Sequence, residues 1–336
     1  MKVSPSIYSS NLTVLDTVKQ IRNTIVEYIH VDINDSKDLK IVKNDVGVIR
    51  MNCDLLVDVH LITEFPSTKL KELKEIAPDL IAVQYENLNS DQEFYSIRKS
   101  FSRVGISITK QTDFEKADSL IKDSDYVLLM TTVPGESGKS FDKESLDWIK
   151  SFKKSYPLKK VHVDGGIDNI VSDKLRSLKI DCIVSGSYLM RSTSMVASVL
   201  KLKGIKPKTS LRRYMTKIDY IPFLNPNSNI IDAFSSIELS QRGFCIIEDG
   251  LKWGIITDGD IRRYIIASQQ KDLKLSDSIQ DIVNYSPFCM DVNSNVESLL
   301  RELIEKNFYK RLNFVVLTEY NKPVGILVLN KMYGDF

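Results

Sequence analysis

Histidine is the scarcest chemistry-bearing residue of this sequence, with three in 336 residues. Cysteine is nearly as sparse. Cys53, Cys182, Cys245 and Cys289 show no CxxC spacing, which excludes a zinc ribbon and argues against a disulfide framework. Three of them fall in apolar strand-like runs, where a thiol behaves as a small hydrophobe. No apolar run approaches the ~18 residues that a membrane-spanning helix needs. The first ten residues, MKVSPSIYSS, lack the apolar segment of a signal peptide. Neither charge sign dominates, since the formal net charge is +2. That balance gives no ground for a nucleic-acid partner. The basic stretch from Lys201 to Arg213 has no interleaved aromatics and reads as a solvated linker. These absences point to a reducing cytoplasm, with no membrane and no nucleic acid involved.

What is present is ordinary globular material. Hydrophobic residues make up 43% and charged residues 27%, enough apolar surface for sizeable cores and no sign of disorder. The length suggests two domains. Up to about Leu202, short β-branched runs such as EYIHVDI, DLIAVQYE and KVHVDGG alternate with amphipathic stretches such as STKLKELKEIA and KESLDWIKSFKKS. Nearly continuous apolar strands imply burial on both faces, as in parallel sheets. Eight such units in about 200 residues suit a closed (β/α)8 barrel. The expected boundaries are 1–204 for this α/β TIM barrel and 205–336 for a second, α+β domain.

The second domain reads as two copies of one unit, about 210–270 and about 277–336. Each has a helix, a β-hairpin and a Gly-Ile strand exit, at Gly254-Ile255 and Gly325-Ile326.

Two histidines stand beside aspartates in strand runs, as His30-Val31-Asp32 and Asp58-Val59-His60. Residues two apart on a strand share a face. A third run ends Val163-Asp164-Gly165-Gly166. In a barrel the C-terminal strand ends build the active site. One divalent metal held by His30, Asp32, His60 and Asp164 is therefore expected, and the donor set suits Zn2+, Fe2+, Mn2+ or Co2+. His162 shares a face with Asp164 and reads as a core or supporting residue. A metal flanked by two carboxylates suits inversion of one carbon next to a carbonyl. The metal stabilises an enediolate, one acid removes the proton and the other returns it to the opposite face. Gly165, Gly166 and the run Ser185-Gly186-Ser187 follow strands seven and eight, where barrels hold phosphate.

Residues 1–200 resemble the ribulose-phosphate 3-epimerase family. The resemblance rests on Pro5-Ser6-Ile7 with Ser9, His30-Val31-Asp32, Asp58-Val59-His60-Leu61, Leu129-Met130, Val133-Pro134-Gly135 with Gly138, Val163-Asp164-Gly165-Gly166 and Ser185-Gly186-Ser187. It implies metal ligation by the four residues above, with Asp32 and Asp164 as the catalytic acid/base pair. It also implies Ser6 near the substrate, Met130 lining the site, and phosphate held by Gly166, Gly186, Ser187 and the Gly135–Gly138 loop. Several positions depart from the family. Its D-G-H-x-V-P-N stretch is here Asn34-Asp35-Ser36-Lys37-Asp38-Leu39, its strand-four histidine is Gln84, its P-G-F-G-G loop is Pro134-Gly135-Glu136-Ser137-Gly138, and its metal-capping methionines are Ile33 and Ile62. The reaction type is expected to be kept on ribulose 5-phosphate/xylulose 5-phosphate or a related ketose phosphate.

The second domain resembles a tandem CBS pair, a module that implies nucleotide regulation or dimerisation, hence a homo-oligomer. By that resemblance Thr257 and Asp260, in GIITDGDIRR, meet the phosphate and ribose of an adenosine nucleotide, AMP or ATP. The second copy, Gly325 to Lys331, lacks both residues. The alternatives are a non-catalytic sugar-phosphate sensor, or an epimerase of a longer ketose phosphate in surface-carbohydrate synthesis.

Overall fold

The computed structural model describes residues 1–249, 252–267, 274–306, 308 and 312–329. Its chain divides into two compact units, Met1–Pro207 and Lys208–Phe336.

In the first unit eight strands run parallel. They are β1 (Lys2–Pro5), β2 (Tyr28–Asn34), β3 (Leu56–Ile62), β4 (Leu80–Gln84), β5 (Val104–Ile108), β6 (Val127–Met130), β7 (Val161–Asp164) and β8 (Cys182–Ser185). Helices α1 (Val14–Ile21), α2 (Leu39–Asn52), α3 (Leu70–Ile76), α4 (Asp91–Arg98), α5 (Phe114–Asp123), α6 (Ser145–Ser155), α7 (Asn169–Ser177), α8 (Ser187–Met190) and α9 (Met195–Leu202) alternate with them. The sheet order is β1-β8-β7-β6-β5-β4-β3-β2. A lone parallel bridge between Ser6 and His30 closes the remaining seam. This is the expected (β/α)8 barrel. Its strands are mostly apolar and buried, and β5 and β6 are buried throughout. Its helices bury one stripe; α5 hides Ala117, Leu120 and Ile121.

Several strands stop sooner than their apolar runs suggest. The run DCIVSGSYLM is strand only through Ser185, and the four-residue helix α8 follows from Ser187. KVSPSIY is strand only through Pro5, then turns at Ile7–Ser9. Glycine at 186 and hydroxyl-rich turns end these strands where the barrel opens. Cys53 caps α2 and is not a strand residue. No disulfide joins the four cysteines.

The stretch read as a linker is folded. Lys201 and Leu202 complete α9. Leu211 is fully buried, and its N–H donates to the Ser294 carbonyl at 2.8 Å. An apolar residue inside a basic run anchors the chain there.

The second unit repeats a short strand, a helix and a hairpin. β9 (Met215–Lys217), β10 (Phe223–Leu224), α10 (Ile230–Ser240), β11 (Phe244–Asp249), β12 (Lys252–Thr257) and α11 (Asp258–Ala267) precede β13 (Cys289–Asp291), α12 (Val296–Glu305), β14 (Phe314–Glu319) and β15 (Lys322–Val328). β10-β11-β12 form one sheet and β13-β14-β15-β9 the other. Both hairpins are antiparallel, and each leading strand joins in parallel. The first strand of the chain's second half, β9, thus completes the sheet of the second repeat. Helix α10 begins with a capping box in which Asn229 and Asp232 satisfy each other's backbone N–H. The sequence-expected ends of α11 (to Gln270) and α12 (to Asn307), the starts of the LKWGIITDG and RLNFVVLTEY runs at Leu251 and Arg311, and the Asn330–Phe336 tail lie outside the described residues.

Candidate metal and acid-base site

Strand register assembles the site. In the β2–β3 pair His30 lies opposite Asp58, and Asp32 lies opposite His60. Asp164 ends β7, across from Met130 on β6. The backbone and hydroxyl of Thr131 hold the Asp164 carbonyl at 2.7 and 2.8 Å, fixing that strand end.

One donor atom from each of His30, Asp32, His60 and Asp164 lies within 4.8 Å of all the others. His30 Nε2 is 3.3 Å from Asp32 Oδ1 and 3.8 Å from Asp164 Oδ2. His60 Nδ1 is 3.4 Å from Asp32 Oδ1. Two donors ~2.1 Å from one tetrahedral ion lie ~3.4 Å apart, so these spacings suit a shared cation.

The outer ring nitrogens fix which atoms face the cluster. His30 Nδ1 donates to Asp58 Oδ2 at 3.0 Å, and Asp58 also accepts from the Ser4 hydroxyl at 3.3 Å. His60 Nε2 donates to Gln84 Oε1 at 2.7 Å. Gln84 is oriented in turn. Its Oε1 accepts from Ser107 at 2.9 Å, and its amide N–H donates to Glu86. Each histidine therefore keeps its proton on the outer side. The inner atoms, His30 Nε2 and His60 Nδ1, are buried without a hydrogen-bond partner among the described residues. Facing carboxylate oxygens, these inner nitrogens favour a positive charge between them, whether a proton on His30 or a metal ion. The residues present thus fit a divalent metal.

The two acids sit in unlike fields. Burial raises the pKa of Asp32, but His30 and His60 overcome it and hold the carboxyl well below its ordinary value. Burial, joined by the charge of Asp32, pushes Asp164 up to about 6. Burial works against charging His30, yet Asp32 and Asp58 together raise its pKa well above 6.5.

Above this cluster opens a cavity of 380 Å³. Ser6, Asp32, Met130, Gly135, Gly138, Asp164, Gly165, Gly166, Gly186 and Ser187 all line it. Each barrel residue expected to hold metal or substrate or to carry a proton is thus either a wall of this cavity or, for His30 and His60, fully buried within the four-donor cluster. Ser6 Oγ lies 3.5 Å from Asp32 Oδ2. Two glycines are sterically required. Gly166 has φ +64°, and an added Cβ would overlap the backbone nitrogen of Phe141; a Cβ on Gly186 would overlap Ser9 Oγ. Glu136 also lines the cavity, with its carboxylate 3.4 Å from Lys139 Nζ.

Sequence reasoning missed Asp58, Gln84 and Lys37 as parts of the site. Lys37 lines the cavity, lies 3.0 Å from the Tyr8 ring centroid, and donates to the Asp32 carbonyl at 3.2 Å. It stands in the 34–39 stretch that departs from the family pattern, which was the available signal.

In the second unit Thr257 ends β12 and Asp260 lies in the first turn of α11. They bond to each other. Asp260 Oδ2 accepts from the Thr257 N–H at 2.9 Å and its hydroxyl at 2.6 Å, and Arg263 pairs with the other oxygen. A cavity of 800 Å³ beside Trp253, Tyr285 and Cys289 does not include them.

Comparison with known proteins agrees with both units. The model of the "Ribulose-phosphate 3 epimerase family" matches residues 2–190, and the CBS domain model matches 211–267 and 279–331. The chain is similar to the ribulose-phosphate 3-epimerase of Chlamydia pneumoniae, 28% identical over 60% of this chain and 94% of that one. It is similar to that of Bacillus subtilis, 25% identical over 61% of this chain and 100% of the relative. That of Schizosaccharomyces pombe is 26% identical over 61% and 97%. With more than half of its length matched by that model, the chain belongs to the ribulose-phosphate 3-epimerase family, an isomerase barrel followed by a CBS domain pair.

Proposed function

We propose that the barrel inverts C3 of a ketose phosphate, ribulose 5-phosphate/xylulose 5-phosphate or a close relative, with one divalent metal held by His30, Asp32, His60 and Asp164. The observation that carries this reading is the pair of buried, unpartnered imidazole nitrogens aimed at two carboxylates. Zn2+, Fe2+, Mn2+ and Co2+ all suit these donors. When bound, such an ion supplies positive charge where a carbonyl oxygen turns into an oxyanion.

The chain's own groups do the rest. Asp32, ionised, takes the C3 proton from one face of the substrate. The electron pair flows into the neighbouring carbonyl and gives an enediolate. Asp164, with its raised pKa, delivers a proton to the opposite face, and the electron pair returns to C3. For the other epimer the two acids exchange roles. Ser6, beside Asp32, meets the substrate near the reacting carbon, and Met130 packs against it. Its phosphate lies against the backbone at Gly165, Gly166, Gly186 and Ser187, with Gly135 and Gly138 folding over it. Lys37 brings a cation to the walls that the family relatives build differently.

The CBS pair is proposed to bind AMP or ATP at Thr257 and Asp260 and to regulate or dimerise the enzyme. Ile231, Phe234, Ile265 and Ile266 are exposed apolar residues on α10 and α11, which supports a homo-oligomer. Free thiols at buried Cys182 and Cys245 agree with a reducing cytoplasm, and among the described residues no helix is long and apolar enough to cross a membrane.

The test is metal analysis together with deuterium wash-in at C3, using C5 to C7 ketose phosphates in D2O. Exchange should require a bound divalent metal. Asp164→Asn should lower it by ~10³-fold or more while leaving the fold intact. If no ketose phosphate exchanges with the metal-loaded protein, the epimerase reading fails.

A further inference from the structure

A second cavity of 770 Å³ adjoins the first on the barrel unit. Gly138, Gly166, Ile167 and Ser187 line both. The partition between them is therefore mostly glycine and small polar residues, at the place proposed above for phosphate. Beyond the partition the character changes. Lys139, Lys143, Lys174, Arg191 and Lys201 line the second cavity. Lys139 has Glu136 at 3.4 Å. Among the described residues the other four lie within 4 Å of no carboxylate. Asp168 is the acid on this wall, and its Oδ1 accepts the N–H groups of both Ile170 and Val171 at the start of α7. Arg191 reaches the partition itself, with its Nη2 3.7 Å from the Cβ position of Gly138.

We infer that the substrate site continues through this partition, and that the natural substrate carries a second anionic group beyond its first phosphate, as a diphosphate or phosphodiester of a ketose does. This rests on the ketose-phosphate reading of the first cavity. A monophosphate would end at Gly166 and Ser187 and leave four cations around an open basin with one acid, Asp168, among them. Clustered like charges raise one another's energy, and an anion bridging them removes that cost. At Gly138 no side chain bars the way, and a Cβ there would meet only Arg191; at Gly166 the 139–141 backbone takes the place of a side chain.

The test uses the full chain, with inorganic phosphate and inorganic pyrophosphate as probes, at ~0.15 M salt where long-range surface attraction is screened. Calorimetric titration should give pyrophosphate at least tenfold tighter than phosphate, with the two competing. The triple variant K143Q/K174Q/K201Q should bring pyrophosphate to within about twofold of phosphate. These are exposed side chains, so the variant should fold, and its thermal transition checks that. Equal affinities in the wild type would overturn the inference, as would a pyrophosphate preference that survives the triple variant. Non-competitive binding would mean a separate effector anion and would also overturn it. The readout is binding alone. Absence of C3 exchange would sink the epimerase reading without altering this result, and the converse also holds.

Discussion

A histidine binds metal through one nitrogen only when the other keeps the proton in a fixed direction. Here Asp58 does this for His30 and Gln84 does it for His60. Gln84 has no charge of its own. It acts because Ser107 and Glu86 turn its amide so that oxygen, not nitrogen, faces the ring. Gln84→Leu should lower metal affinity by ~10- to 100-fold, measured by competition with a chelator, and Gln84→His should restore part of it. Unchanged affinity in the leucine variant would mean that His60 is oriented by something else. The clustering of the four donors was legible in the sequence, because His-x-Asp and Asp-x-His spacing on a strand leaves few geometries open. Their supports were not. Asp58 looks like an equal member of its pair until register sets it opposite His30, and nothing local says that Gln84 will lie within 2.7 Å of a residue 24 positions earlier.

At the scale of strands, Gly105 on β5, Tyr126 just before β6 and His162 on β7 form a stack. The Tyr126 and His162 rings lie 4.3 Å apart at 29°. A Cβ on Gly105 would come within 2.6 Å of the Tyr126 ring, so the glycine is the space the tyrosine occupies. Burial lowers the His162 pKa from 6.5 to about 4. The sign follows directly. Below pH 6.5 the unfolded chain takes up a proton that the folded barrel refuses. Stability is full above 6.5, falls as pH drops, and levels off near pH 4 at a loss of roughly 3 kcal/mol. Urea unfolding followed by Trp148 fluorescence in a Trp253→Phe background should show this loss between pH 7 and 4.5. Comparison with His162→Gln isolates it, since Asp164 contributes with the opposite sign in both chains. A variant with the same pH slope would refute the assignment. The alternation of strands and helices was legible because β-branched runs and amphipathic stretches have different periods. Strand ends were not, since VSGSYLM is as apolar as a strand while Gly186 has already turned the chain. The buried place of Leu211 within a basic run was hidden for the same reason: composition averages over the one residue that anchors.

For the whole molecule, the question is what the CBS pair reports to the barrel. Thr257 and Asp260 satisfy each other, so a nucleotide at that site must replace those bonds with its own. AMP at ~100 times its Kd should stabilise the second unit by about 2.7 kcal/mol, read as a shift in its thermal transition. Asp260→Ala should abolish the shift, whatever it does to baseline stability; an undiminished shift would locate the nucleotide elsewhere. The barrel has its own molecule-wide constraint. Its last seam is a lone bridge between Ser6 and His30, and the strand beside that seam, β1, pairs Lys2 with Cys182, 180 positions away. A ribosome must finish nearly the whole barrel before its first strand has a partner on that side. Pairings this distant come late, because loop closure precedes their reward. The clasp and the ligand cluster share His30. Asp164, the fourth donor of the cluster, lies on β7, so a nascent barrel cannot assemble the four donors until seven of its eight strands are made.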